Sequence, residues 1–189
     1  MKNQLSIEHI VAGCKSGHAE CQQALVHRFS GLLYSVCLRY IGDRDKSQDV
    51  LQESFIKIFK YINKFDSDRG SLQGWMRKIT VNESLKLLNK KSLDTTSLSV
   101  DYNDQVKVAP DAITKISVDD LMTIVRTLPD GYRQVFNLAV IEGYSHKEIA
   151  VLLNIQEVSS RSNLSRAKAI LRKMMVEKQK QEKWETISY

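Results

Sequence analysis

The chain has 189 residues, 42% of them hydrophobic, enough for one or two packed domains and too apolar for wholesale disorder. Lysine and arginine (28) outnumber aspartate and glutamate (22), and the net charge of +6 suits an anionic partner. No apolar run reaches the length of a membrane span, and Met1-Lys-Asn-Gln-Leu5 lacks the apolar core of a signal peptide, so the expected compartment is the cytoplasm.

Only two prolines and eight glycines interrupt long stretches of 3.6-residue periodicity, which predicts an all-α fold. The pattern divides into two helical domains joined by a flexible linker: residues 7–91, an acidic linker at 92–117, a second domain at 118–178, and a charged tail at 179–189. Three or four helices fit the first domain. Cys21, Leu25, Phe29, Leu32, Val36 and Tyr40 mark one long amphipathic helix, which Gly42 stops.

Cys14, His18 and Cys21 sit at i, i+4 and i+7 and could face one side of a helix as a metal triad. Gly13 and Gly17 interrupt that helix and no fourth ligand is evident, so the reading is no metal, no cofactor and three small buried thiols. Leu51, Phe55, Ile58, Phe59 and Ile62 mark the next helix. Its other face carries Asp49, Gln52, Glu53, Ile56 and Lys60, an isoleucine among carboxylates and amides, which suggests a docking surface.

The polar stretch Phe65, Asp66, Ser67, Asp68, Arg69, Gly70, Ser71, Leu72 is turn-prone, and Ser71 is placed to cap a helix with Leu72, Trp75, Met76 and Ile79 inward. Arg77, Lys78, Lys86, Lys90 and Lys91 make that helix basic. Cations beside an aromatic and a polar loop fit a single-stranded nucleic-acid site; taken alone, these residues fit a core tryptophan with a wet basic face better, since a tryptophan at helical spacing is usually packing.

The linker carries Asp94, Asp101, Asp104 and Asp111, many hydroxyls and Pro110. After it, Leu121, Ile124, Val125 and Leu128 form a stripe, Pro129 begins a further helix packed by Val135, Phe136, Leu138 and Ala139, and Gly143 closes it. Ser145 and Glu148 have capping-box spacing, Ile149, Leu152 and Leu153 form a stripe, and Asn154 tolerates the left-handed turn that follows. This is the pattern of a helix-turn-helix.

On its second helix, at about 100° per residue, Leu164, Ala167, Leu171 and Met174 fall inward, with Ser160 toward the same side. Val158, Ser159, Ser162, Ser165, Arg166 and Lys173 fall outward, with Arg161, Lys168 and Arg172 along one flank. Small hydroxyls permit close approach to a groove, and long cations reach phosphates and guanine edges. A solvated basic face is the plainer alternative.

These segments together resemble bacterial RNA polymerase sigma factors of the extracytoplasmic-function type. Asp49-Val-Leu-Gln-Glu-Ser-Phe-Ile-Lys-Ile-Phe59 is similar to the region-two helix that docks on the polymerase clamp. Phe65 through Asn82, with Trp75 and Ile79-Thr-Val-Asn82, resembles the promoter-melting part. Leu128-Pro-Asp-Gly-Tyr-Arg-Gln-Val-Phe136 and Ile141 to Ala150 resemble the start of region four. The family often has Asp and Arg where this chain has Lys86 and Asn89, and its recognition helix usually begins Glu-Gly-Thr-Val where this one has Glu157-Val-Ser-Ser160.

The resemblance implies a protein without catalytic residues or a small-molecule substrate, whose partners are core RNA polymerase, promoter DNA and an anti-sigma factor. Asp49, Gln52, Glu53 and Ile56 would bind polymerase. The 65–72 loop, Arg77 and Asn82 would take the minus-ten strand, trapping a flipped base. Val158, Ser159, Arg161, Ser162, Ser165, Arg166, Lys168 and Arg172 would meet the minus-35 duplex. The linker would thread the polymerase channel. Two other readings stand beside this one. A helix-turn-helix regulator acting without polymerase has no need of the docking face. A nucleic-acid-processing enzyme would need a metal motif with paired carboxylates, a glycine-rich phosphate loop or a nucleophile with a histidine base, and none is visible.

Overall fold

A computed structural model of the chain describes residues 5–94 and 118–187, and all regular structure in them is helical. The chain forms two compact units, Met1–Leu88 and Asn89–Tyr189.

The first unit starts at Ser6, whose hydroxyl accepts from the His9 amide at 3.2 Å and so caps α1 (Ile7–Lys15). Gly13 does not break this helix, contrary to the sequence expectation. It lies inside it, at a close approach to α2 (Ala19–Ile41): a Cβ there would stand 2.2 Å from the Cys21 sulfur. The helix ends at Lys15, with Gly17 in the left-handed region at φ 78° just beyond it, so Cys14 and Cys21 belong to different helices and are buried while His18 is exposed. Among the described residues no group of three His, Cys, Asp or Glu side chains is placed to hold a metal ion.

Asp43 caps α3 (Arg44–Tyr61) by accepting from the Lys46 amide at 3.0 Å. After two short 3-10 turns, Ile62–Lys64 and Ser67–Arg69, α4 runs over Leu72–Asp94. The core joins Leu25, Phe29 and Leu33 of α2, Phe55 and Ile58 of α3, Ile62, Phe65, and Leu72 and Met76 of α4. Leu33 rather than Leu32 continues the α2 stripe, because Leu33 lies one full turn beyond Phe29. Each such side chain, fully buried, contributes roughly 1.5–3 kcal/mol.

Polar residues also lie inside. The Ser54, Thr80 and Ser84 hydroxyls donate to carbonyls four residues back at 2.7, 3.1 and 2.9 Å, which satisfies them without a partner helix. Lys57 of α3 forms an ion pair with the buried Glu83 of α4. With no glycine or proline at Ser92, Leu93 or Asp94 to stop it, α4 continues through Asp94, past its expected end. The rest of the expected linker, 95–117, lies outside the described residues.

In the second unit, α5 (Val118–Arg126) and α6 (Asp130–Phe136) are tied by Arg133. Its buried guanidinium donates to the Arg126 and Leu128 carbonyls at 3.1 and 2.7 Å and to Asp130 Oδ1 at 2.6 Å. Free carbonyls at the end of α5 thereby gain a cation, favoured there by the helix dipole. A π-helical turn, Asn137–Ile141, extends α6, and then come α7 (His146–Leu153) and α8 (Glu157–Ile187). Ile124, Val125, Leu128 and Phe136 pack on Ala167, Leu171 and Met175 of α8. The helix α8 includes most of the stretch set apart in the sequence as a charged tail; no glycine or proline interrupts it.

Candidate nucleic-acid and polymerase interface

Three surfaces carry the candidate residues. On α3, Asp49, Gln52, Glu53 and Ile56 all face solvent, while Val50, Ser54, Phe55 and Ile58 turn inward. Ile56 is 59% exposed, an apolar side chain left in water at the centre of a polar face.

The second surface is the loop between α3 and α4. Its two ends are anchored in the core. Phe65 is buried, with its ring 5.6 Å from that of half-buried Trp75, and Leu72 is buried as the first residue of α4. These two residues, grouped by sequence with the DNA-facing set, therefore fasten the loop and leave Asp66 to Ser71 as its exposed part. Local bonds shape that part. Asp66 accepts from the Asp68 amide at 3.0 Å and pairs with the Arg69 guanidinium at 3.3 Å; Ser71 accepts from the Gly74 amide at 3.1 Å, capping α4. Gly70 has φ of 144°, a region that a side chain disfavours.

Helix α1, fifty residues earlier, holds the loop from outside: the Lys15 ammonium donates to the Phe65 carbonyl at 3.0 Å. Between them lies an open cleft of about 580 Å³, lined by Ser67, Gly70, Ser71 and Gln73 on one side and Val11, Ala12 and Lys15 on the other. Sequence reasoning did not include α1 in this site, since nothing local to Val11–Lys15 signals a partner so distant in the chain. Asn82 is exposed and Arg77 half-buried farther along α4, and neither lines the cleft.

The third surface is α8 with its support α7. Ser145 and Glu148 cap α7 reciprocally: the Ser145 hydroxyl accepts from the Glu148 amide at 3.3 Å, and Glu148 Oε2 accepts from the Ser145 amide at 2.8 Å. Asn154 has φ 52° and ψ 48°, the left-handed turn between the helices. On α8, Ala167 and Leu171 are buried; Val158, Arg161, Ser165, Arg166, Lys168 and Arg172 are exposed; Ser159 and Ser162 are half-buried. Arg161 pairs with Glu157 one turn back, and the Ser162 hydroxyl donates to the Ser159 carbonyl at 3.0 Å.

Ser160 is wholly buried, and its hydroxyl is 2.9 Å from His146 Nδ1. A polar side chain inside a helix crossing needs such a partner. His146 was passed over in the sequence because its role depends on a residue fourteen positions away.

The sigma-70 region 2 family model matches residues 25–93, and the sigma-70 region 4 model matches residues 119–171. The chain belongs to the sigma-70 family. Two curated relatives place it with the extracytoplasmic-function factors. It is 26% identical to the ECF RNA polymerase sigma factor SigW of Bacillus subtilis, over 91% of this chain and 98% of that one. It is 27% identical to the ECF RNA polymerase sigma-E factor of Escherichia coli K12, over 89% of this chain and 93% of that one. A solved structure, the sigma factor RpoE of Bartonella quintana in complex with the anti-sigma factor NepR, is similar at 18% identity, with TM-score 0.49, covering 81% of this chain and 95% of that one. No helix among the described residues of this sigma factor is long and apolar enough to cross a membrane.

Proposed function

We propose that this sigma factor meets core RNA polymerase with Asp49, Gln52, Glu53 and Ile56, opens the minus-ten element with the Asp66–Ser71 loop and Asn82, and reads the minus-35 duplex with α8. The observation that carries the reading is the loop: anchored at Phe65 and Leu72 and tied to α1 by Lys15, it rims a cleft of about 580 Å³, large enough for a flipped base. Flipping a base from the stack costs a few kcal/mol, and stacking in a pocket returns about 1–3 kcal/mol per base. Hydroxyls and backbone at Ser67, Gly70 and Ser71 offer hydrogen-bond partners to a base edge.

In this reading α8 presents Val158, Ser159, Ser162, Ser165 and Arg166 to base edges, and Arg161, Lys168 and Arg172 to phosphates. Val158, 73% exposed, suits a thymine methyl. The chemistry is binding and strand opening, with no catalytic residue, and it takes place in the cytoplasm with the polymerase. An anti-sigma partner belongs to the same proposal, as factors of this type are held inactive by one. The test is Asn82→Ala in reconstituted holoenzyme: open-complex formation, read by permanganate footprinting of the melted strand, should fall more than binding to duplex promoter. Unchanged footprints would remove Asn82 from the strand-opening set; the cleft itself is tested by Ser67→Ala with Gln73→Ala, both in its lining, and undiminished opening by that pair would move the base pocket elsewhere.

A further inference from the structure

Backbone bonds close the turn between α1 and α2. The Gly17 amide donates to the Cys14 carbonyl at 3.1 Å, and the His18 amide donates to the Gly13 carbonyl at 2.9 Å. The start of α2 is thereby folded back onto the end of α1, where three reactive side chains converge. A Cβ on Gly13 would stand 2.2 Å from the Cys21 sulfur and 3.6 Å from His18 Nδ1, so thiol and imidazole border the same gap. Cys14, the next residue of α1, is buried in the same core cluster as Cys21. Burial pushes the Cys14 thiol up, and the nearby Cys21 adds to that effect. Cys37 lies about four turns farther along α2. His18 is exposed and Gly17 brings no side chain over the turn, which leaves a small oxidant a way in from solvent. The residue after Cys14 is Lys15, whose ammonium holds the Phe65 carbonyl of the loop at 3.0 Å.

We propose that Cys21, Cys14 and His18 form a peroxide-reactive dithiol site, whose oxidation to a disulfide releases the minus-ten loop from α1. The His18 imidazole takes the Cys21 proton as the sulfur attacks one oxygen of hydrogen peroxide. The O–O bond breaks, the other oxygen leaves as water with that proton, and Cys21 becomes a sulfenic acid. The Cys14 sulfur then attacks the Cys21 sulfur. The S–O bond breaks, a second water leaves with the Cys14 proton, and a disulfide joins α1 to α2. Two thiols lose two electrons and the peroxide gains them. A low-molecular-weight thiol reverses the bond by exchange. A disulfide holds its two Cβ atoms about 3.5–4.5 Å apart. Gly13 and Cys21 already touch too closely for a side chain, so α1 cannot meet that demand by moving nearer. Its last turn rotates instead and carries Lys15 off the Phe65 carbonyl. The effect on transcription rests on the strand-opening reading; the thiol chemistry does not.

The experiment starts with the reduced full chain, treated with excess hydrogen peroxide, quenched with catalase and mapped by mass spectrometry. It is then assembled with reduced core polymerase on promoter DNA. One disulfide, Cys14–Cys21, should form while Cys37 stays a thiol. Permanganate footprints should fall several-fold and return with dithiothreitol. Cys14→Ala should give a dimedone adduct at Cys21, no disulfide and an undiminished footprint after peroxide. Cys37→Ala should respond as the parent does. His18→Gln should form the disulfide more slowly. Lys15→Met should weaken the footprint without peroxide, and peroxide should weaken it little further.

Absence of the Cys14–Cys21 disulfide in the parent overturns the proposal, with no variant needed. A disulfide that leaves the footprint intact also overturns it, as does an unchanged rate in His18→Gln or a peroxide response that survives in Cys14→Ala. The two ideas fail separately: reduced holoenzyme that opens no promoter breaks the strand-opening reading, while the mapped disulfide and the dimedone adduct report on the thiols alone.

Discussion

The two units present their candidate DNA-facing side chains in opposite ways. In the second unit the surface is one side of a regular helix, and its rotation is set by a few contacts: Ala167 and Leu171 in the core, and the Ser160 hydroxyl on His146 at the crossing with α7. In the first unit, apart from Arg77 and Asn82 on α4, the surface is irregular backbone, fastened at Phe65 and Leu72 and braced by Lys15 from a helix fifty residues earlier. A helix face is displaced as a whole when its support fails. A loop loses its shape one tether at a time, because each tether constrains a different segment.

The largest effect is expected at α3, where the proposed polymerase-facing side chains share one face of a regular helix. Glu53→Arg combined with Ile56→Asp should abolish co-purification with core polymerase while far-ultraviolet dichroism stays unchanged, since both side chains are exposed. Retained co-purification would remove this face from the docking surface.

The next effect tests the support of α8. Ser160→Ala strands the His146 nitrogen at a half-buried position, and His146→Ala strands a wholly buried hydroxyl. Each should cost about 1–3 kcal/mol in urea unfolding of the second unit, and the double variant should cost little more than the worse single one. Fully additive losses would mean that the bond carries no coupling. Minus-35 affinity should follow the stability loss.

A comparable but more selective effect separates reading from anchoring on α8. Arg166→Ala should cost about 1–3 kcal/mol and relax preference at particular positions of the minus-35 element. Lys168→Ala should weaken all sequences alike and lower the salt slope by about one unit. A panel of single-base promoter variants, bound by holoenzyme at several salt concentrations, distinguishes them. Base preference altered by Lys168→Ala and untouched by Arg166→Ala would contradict the assignment.

The smallest effect is a titration inside the core of the first unit. All three cysteines lie in the first unit. Burial pushes the Cys37 thiol from its ordinary 9.0 up to about 12, against the lesser opposing effect of Ser84 and backbone hydrogen bonds. Between those values the unfolded chain releases the proton and the folded chain keeps it, so stability is complete below about pH 9 and declines as pH rises toward 12. Denaturant melts at pH 8 and 10.5 should show a loss in the first unit that Cys37→Ala reduces. An equal loss with and without the thiol would assign the decline to other groups.

The exposed faces of α3 and α8 were legible in the sequence because a helix converts spacing into direction. Glu53 and Ile56 share a face whatever α3 packs against, and Ser160 falls inward with Ala167 by rotation alone. The Ser145–Glu148 cap and the Asn154 turn were equally legible, since their partners lie within a few residues. By contrast, the burial of Phe65 and Leu72, the cleft against α1, the Lys57–Glu83 pair and the His146–Ser160 bond belong to the tertiary structure. Each depends on which elements meet, and no periodicity encodes the partner of a side chain on another helix. Even Gly13, read from sequence as a helix breaker, turned out to be the place where α1 and α2 approach too closely for a side chain. Local chemistry determined the elements and their faces; packing decided which polar residues went inside and what the loop was held against.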